Sequence, residues 1–212
     1  MPKSAPKRPR RNMAAYDALL ELLLSGELKP GEIINRRQIA ARLDMSVAPV
    51  LEAMLRLEGD GFLEVLPNKG TRVCAVRLDE VRGNLEVREA LEGQAARIWD
   101  ADAFDAAAKD LARLAREVDR ATHRTRAAWE AEVAFHQALV DVAACAALSR
   151  AHRRVMRIGL FHQLNAILTP AEAKRTGHAA FLKKLRAASA GDAEKLVRAH
   201  VWSGKGQLRA GT

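Results

Sequence analysis

Three helical patterns closed by a strand pair, followed by an Ala- and Leu-rich stretch whose one proline is Pro170, predict a mainly α chain of two parts. The first is a winged helix-turn-helix, three helices plus a β-hairpin wing; the second is an all-helical bundle. The 212 residues give each part enough chain to bury a core of its own.

Residues 1–12 read as a flexible basic arm. Lys3, Lys7, Arg8, Arg10 and Arg11 alternate with Pro2, Pro6 and Pro9, a composition that resists folding and suits an extended segment. From 13 to 76 the winged part begins with Tyr16, Leu19, Leu20 and Leu23 at helical spacing. Lys29-Pro30-Gly31 is a turn, and Asn35 with Gln38 forms an N-cap and its third-position amide for a short second helix. Ser46 caps the third helix, where Pro49 falls in a first turn that has no amide hydrogen bond to lose. Phe62–Leu66 and Thr71–Cys74 alternate as strands around the turn Pro67-Asn68-Lys69-Gly70.

In this arrangement the helix opened by Ser46 is expected to lie in a DNA major groove, and the hairpin is the wing. Charge qualifies the expectation. The chain carries a formal net charge of +9, yet from Asn12 to Ala75 seven Lys or Arg stand against nine Asp or Glu. The basic excess is therefore concentrated outside the winged part, with the arm placed to follow phosphates or enter a minor groove.

Residues 77–212 read as about six helices, near 78–99, 102–120, 126–146, 148–167, 170–189 and 192–208. No apolar run reaches spanning length and the N-terminus lacks the apolar core of a signal peptide, so a cytoplasmic location is expected. Cys74 and Cys145 fall in different parts and are expected to stay reduced.

Glu132 and His136, four apart on one predicted helix, share a face. His178 and His200 fall on the fifth and sixth predicted helices, which an antiparallel bundle can bring to the same cavity. Three imidazoles and a carboxylate suit a divalent transition metal such as Zn, Ni, Mn or Fe without choosing among them. The same histidines also fit plain packing or surface positions, the reading given to His123, His152 and His162, with His162 able to turn inward.

The winged part resembles the DNA-binding domain of the GntR family of bacterial repressors. Leu28-Lys29-Pro30-Gly31, the run Ser46-Val47-Ala48-Pro49-Val50-Leu51-Glu52-Ala53 and Leu57-Glu58-Gly59-Asp60-Gly61-Phe62 carry the likeness. Val47 and Leu51 stand where the family usually has arginines. The resemblance implies DNA contacts from Arg37, Ser46, Val47, Ala48, Leu51, Lys69 and Gly70, with thymine methyls rather than guanines facing Val47, Ala48 and Leu51.

The second part resembles the FCD domain of the FadR-like branch, through Arg88-Glu89-Ala90-Leu91-Glu92-Gly93-Gln94-Ala95-Ala96 and Glu132-Val133-Ala134-Phe135-His136-Gln137-Ala138-Leu139. Glu132 replaces the usual Asp, and Cys145 stands where an Asn is common. The likeness implies a metal on Glu132, His136, His178 and His200, and a small organic-acid effector whose carboxylate meets Arg88. Arg88 alternatively forms an ion pair with Glu89, Glu92 or another acid.

Together these features predict a homodimeric regulator, a repressor by default, that binds a double-stranded operator and no membrane. Two other classes stay open: a metal-dependent enzyme, for which no further acid-base group or nucleophile motif stands out, and a ligand-binding dimer with a degenerate DNA-binding part.

Overall fold

The computed structural model describes residues 8–122, 125–165, 177–203, 205 and 208, with the side chains of 8–11 and 163–165 outside that description. Lys3, Lys7, His123 and Pro170 lie outside the described residues. The chain divides into two compact units that meet between Val76 and Arg77.

In the first unit, helix α1 (Arg8–Leu24) begins inside the segment read as an extended arm. Pro9 does not prevent this, because it falls in the first turn, where its missing amide has no intrahelical acceptor. Ala15, Tyr16, Leu19 and Leu23 are buried, while Leu20 is only partly so. Two-residue β1 (Ile33–Ile34) precedes α2 (Arg36–Arg42), whose N-cap Asn35 accepts the Arg37 amide at 2.8 Å.

Helix α3 (Val47–Asp60) packs on α1 through Val50, Ala53, Met54 and Leu57. The Tyr16 hydroxyl donates to Asp60 Oδ2 at 2.7 Å, and the Arg56 guanidinium lies 4.3 Å from the centre of the Tyr16 ring. Ser46 holds the N-cap position, but its side chain makes no capping hydrogen bond. The third helical residue is Pro49, which has no N–H to offer.

The wing strands β2 (Leu63–Leu66) and β3 (Gly70–Val73) pair antiparallel, from Leu63 opposite Val73 to Leu66 opposite Gly70. Gly70 has φ +100°, a conformation that side chains rarely adopt. The hairpin is not alone: β1 pairs with β3, giving a three-stranded sheet of order β1-β3-β2. Two residues are too few to show an alternation in sequence.

The second unit consists of α4 (Leu78–Ile98), α5 (Ala101–Arg120), α6 (Arg126–Asp141), α7 (Ala146–Asn165), α8 (His178–Arg186) and α9 (Ala190–Val201). Helix α4 packs against α9, α7 and α6, and α5 packs against α6 and α8. Phe104, Leu111, Phe135, Leu139, Phe181, Leu185 and Val197 form much of its apolar core.

Several helix ends differ from the sequence reading. Helix α6 stops at Asp141 rather than 146, and Ala144, not Cys145, takes the left-handed turn at φ 48° before α7 begins at Ala146. Helix α9 starts at Ala190 because the Ser189 hydroxyl accepts the Asp192 amide, and it ends at Val201 rather than 208. Helix α8 begins at His178, with 170–176 of the predicted helix outside the described residues.

Candidate functional site

The first unit presents an unusual helix face. Val47, Leu51 and Leu55 on α3 are 39%, 37% and 55% exposed. Ser46, Ala48 and Arg37 are exposed too, as are Lys69 and Gly70 in the wing. Arg72 is held differently: its Nε donates to Glu64 Oε1 across the strands at 2.8 Å, so its charge is offset locally. The sequence-predicted contact residues thus lie on the surface of one small unit, on α2, at the start of α3 and at the hairpin turn.

The second unit buries what a core normally excludes. Arg88 and Glu92 on α4, Glu132 and His136 on α6, His152 and His162 on α7 and His178 on α8 are all buried. His136, His178 and His200 each bring one ring nitrogen within 4.8 Å of the others. Glu132 Oε2 lies 3.3 Å from His136 Nε2 and 3.3 Å from His178 Nε2. Both Nε2 atoms are buried without a hydrogen bond among the described residues. A buried, unsatisfied polar atom is costly, so two converging beside a carboxylate call for a ligand.

The opposite ring nitrogens are held. His136 Nδ1 meets Glu92 Oε2 at 2.9 Å, and His178 Nδ1 lies 3.4 Å from Asp119 Oδ1. With Nδ1–H directed at a carboxylate, each imidazole leaves its Nε2 lone pair facing the common centre, the arrangement by which outer carboxylates orient metal-binding histidines. Asp119 does this from α5 while also accepting the amides of His178 and Ala179, at 2.7 and 3.0 Å. It caps α8 from another helix because the N-cap residue, Gly177, has no side chain. A Cβ on Gly177 would stand 3.1 Å from Asp119 Oδ2, so glycine permits the approach.

His200 completes the cluster by stacking on Phe181, with ring centres 3.9 Å apart and 8° between the planes. Burial foremost, and then the neighbouring His136 and His178, push its pKa down to about 2, which keeps the ring neutral with one nitrogen lone pair available. Burial raises the carboxyls of Glu92 and Glu132. For Glu92 it is outweighed by Arg88 and His136, and for Glu132 by His136 and His178, so both stay well below the usual range and ionised. Three imidazoles and a carboxylate in this geometry fit a borderline divalent cation.

Arg88 is both ion-paired and cavity-lining. Its Nε donates to Glu92 Oε1 at 2.5 Å, the intrahelical alternative of the sequence reading, while Glu89 turns to Arg198 at 2.9 Å and Trp202 at 2.6 Å. Arg88 also lines a cleft of about 520 Å³, open mouth included, with Asn84, Glu132, Met156, Leu160, His162 and others. Glu132 therefore belongs both to the histidine cluster and to the cleft.

His152 and His162, read from the sequence as packing or surface residues, are both buried. His152 is fully buried in a polar chain, its Nε2 3.1 Å from Glu92 Oε1 and its Nδ1 3.0 Å from Gln137 Oε1. His162 turns inward to the cleft, the alternative that a helical bundle left open for it. Glu92 and Asp119 were missed as site residues: Glu92 entered the sequence reading only as a possible ion-pair partner of Arg88, and Asp119 carried no signal there.

Residues 12–73 match the bacterial regulatory proteins of the gntR family, and residues 84–202 match the FCD domain. An uncharacterized HTH-type transcriptional regulator in the TAR-I ttuE-ttuC' intergenic region of Agrobacterium vitis is 41% identical over 86 residues, 41% of this chain and 50% of that protein. The HTH-type transcriptional repressor RspR of Escherichia coli (strain K12) is 24% identical over 143 residues, 63% of this chain and 60% of that protein. The chain thus spans between 50% and 60% of the lengths of these two relatives, which are transcriptional regulators rather than enzymes. The crystal structure of a transcriptional regulator GntR from Rhodococcus sp. RHA1 shares the fold, with a TM-score of 0.72 at 19% identity over 96% of this chain and 99% of that one. The chain belongs to the GntR family of bacterial regulatory proteins, and its second unit is an FCD domain.

Proposed function

We propose that the protein is a homodimeric, DNA-binding transcriptional repressor of the cytoplasm whose second unit holds a divalent transition metal and a small organic acid. The convergence of His136 and His178 Nε2, both buried and without hydrogen bonds, on Glu132 carries the reading. Glu132, His136, His178 and His200 would hold the ion, which would supply a Lewis-acidic position for one carboxylate oxygen of the acid. Arg88 faces the adjoining cleft, where its guanidinium can take the same carboxylate. Repression is supported by RspR, named a repressor. No helix among the described residues is long and apolar enough to cross a membrane.

In the first unit, Val47, Ala48 and Leu51 would meet thymine methyls, while Arg37, Lys69, Gly70 and the basic N-terminal residues follow phosphates. Acid bound at Arg88 would change operator affinity by favouring one arrangement of the paired DNA-binding units. The test is titration of the protein onto its native upstream DNA and onto scrambled DNA, with and without metal and acid. Preferential binding of the native DNA, shifted by the acid only in metal-loaded protein, supports the proposal; equal binding of both sequences under every condition contradicts it.

A further inference from the structure

One residue lining the cleft carries a buried polar atom that neither the metal cluster nor Arg88 accounts for. His162 is buried, its Nδ1 has no hydrogen-bond partner among the described residues, and it lines the cleft whose wall also carries Arg88 and Glu132. Its neighbours in that lining, Met156, Gly159 and Leu160, come from the same helix and offer no polar side chain. An unsatisfied buried nitrogen destabilises the protein, and a ligand that supplies its missing hydrogen bond recovers that loss on binding.

We infer that His162 is a specificity-determining residue which receives a hydroxyl of the acid, so that the effector is a small hydroxy acid rather than a simple fatty acid. Burial pushes the His162 pKa down, so the ring is neutral. A neutral imidazole nitrogen suits a hydroxyl, which can either donate or accept, better than a second carboxylate, which can only accept. His162 is not among the residues that converge on the histidine cluster. A hydroxyl on the carbon next to the carboxylate would be drawn to the metal, so the group that reaches His162 sits further along the chain.

The inference rests on the acid-binding reading of Arg88 and can fail separately from it. The experiment titrates metal-loaded protein with butanoate, 3-hydroxybutanoate and 4-hydroxybutanoate by calorimetry, using wild type, His162→Leu, His162→Gln and Arg88→Ala. At least one hydroxy acid is expected to bind wild type about tenfold more tightly than butanoate, the effect of one well-placed buried hydrogen bond. His162→Leu abolishes that preference while leaving butanoate affinity in place, and His162→Gln keeps part of it. Without ligand, His162→Leu melts no lower than wild type, because it removes an unpaired polar atom rather than a bond.

Arg88→Ala weakens all three acids. Equal affinities in wild type overturn the role of His162, and that comparison needs no variant to fold. A preference that survives His162→Leu overturns it as well. If none of the acids binds wild type, the acid-binding reading falls and this inference falls with it.

Discussion

The two units break the ordinary rule of burial in opposite directions. The first exposes apolar side chains, Val47, Leu51 and Leu55, on one helix; the second buries Arg88, Glu92, Glu132, His136, His152 and His178 among helices. Folding alone would reverse both choices. Where a sequence departs from the rules of stability, function is the usual reason, and the two departures point to different partners. An exposed apolar stripe in a unit that also exposes Arg37 and Lys69 suits the grooved surface of a duplex, whereas a buried, carboxylate-backed set of imidazoles suits a cation.

Glu92 is where the second departure can be broken most severely. It accepts from Arg88 and pairs with both His136 and His152, so Glu92→Ala takes the carboxylate away from one buried guanidinium and from one nitrogen on each of two imidazoles. We expect it to cost about 3–5 kcal/mol of stability, measured by denaturant unfolding. Glu92→Gln keeps the size and one acceptor. It should fold, yet weaken metal binding by roughly 10–100-fold, as loss of an orienting carboxylate does. A metal affinity equal to wild type would mean that His136 needs no orientation from α4. Asp119→Asn offers a parallel test on His178, with a smaller loss because its carboxamide oxygen can still accept one α8 amide.

The first departure is sharpened by restoring what the family usually carries. Val47→Arg and Leu51→Arg should each add discrimination toward guanine-containing half-sites of roughly 1–3 kcal/mol, read from affinities for paired operator variants. A wild-type protein that already selects guanine-rich DNA would contradict the apolar readout. Removal of residues 2–7 should have the mildest effect. It weakens binding to every sequence alike and flattens the salt dependence, since fewer phosphates are neutralised.

Local chemistry explains which of these features could be read in the sequence. Asn35, Gly61 and the Pro67–Gly70 turn mark boundaries through their own backbone preferences, and the spacing of Glu132 and His136 puts both on one face of any helix that contains them. The links that make the site depend on distant pairs. Asp119 lies 59 residues before His178, and Glu92 lies 60 before His152, separations at which no periodicity carries information. The same holds for His152, whose burial follows from how α4, α6 and α7 meet. Two-residue β1 and the Ser46 cap failed for local reasons instead: one is too short to alternate, and the other faces a proline where an amide is needed.

The most direct test of the central claim is the metal content of protein purified without chelator and reconstituted with Zn, Ni, Mn or Fe, measured beside the His136→Ala, His178→Ala, His200→Ala triple variant. Wild type should retain about one ion per chain after dialysis, and the triple variant should retain essentially none. Full occupancy in the triple variant, or none in wild type after reconstitution with any of the four ions, would contradict a metal centre built on these histidines.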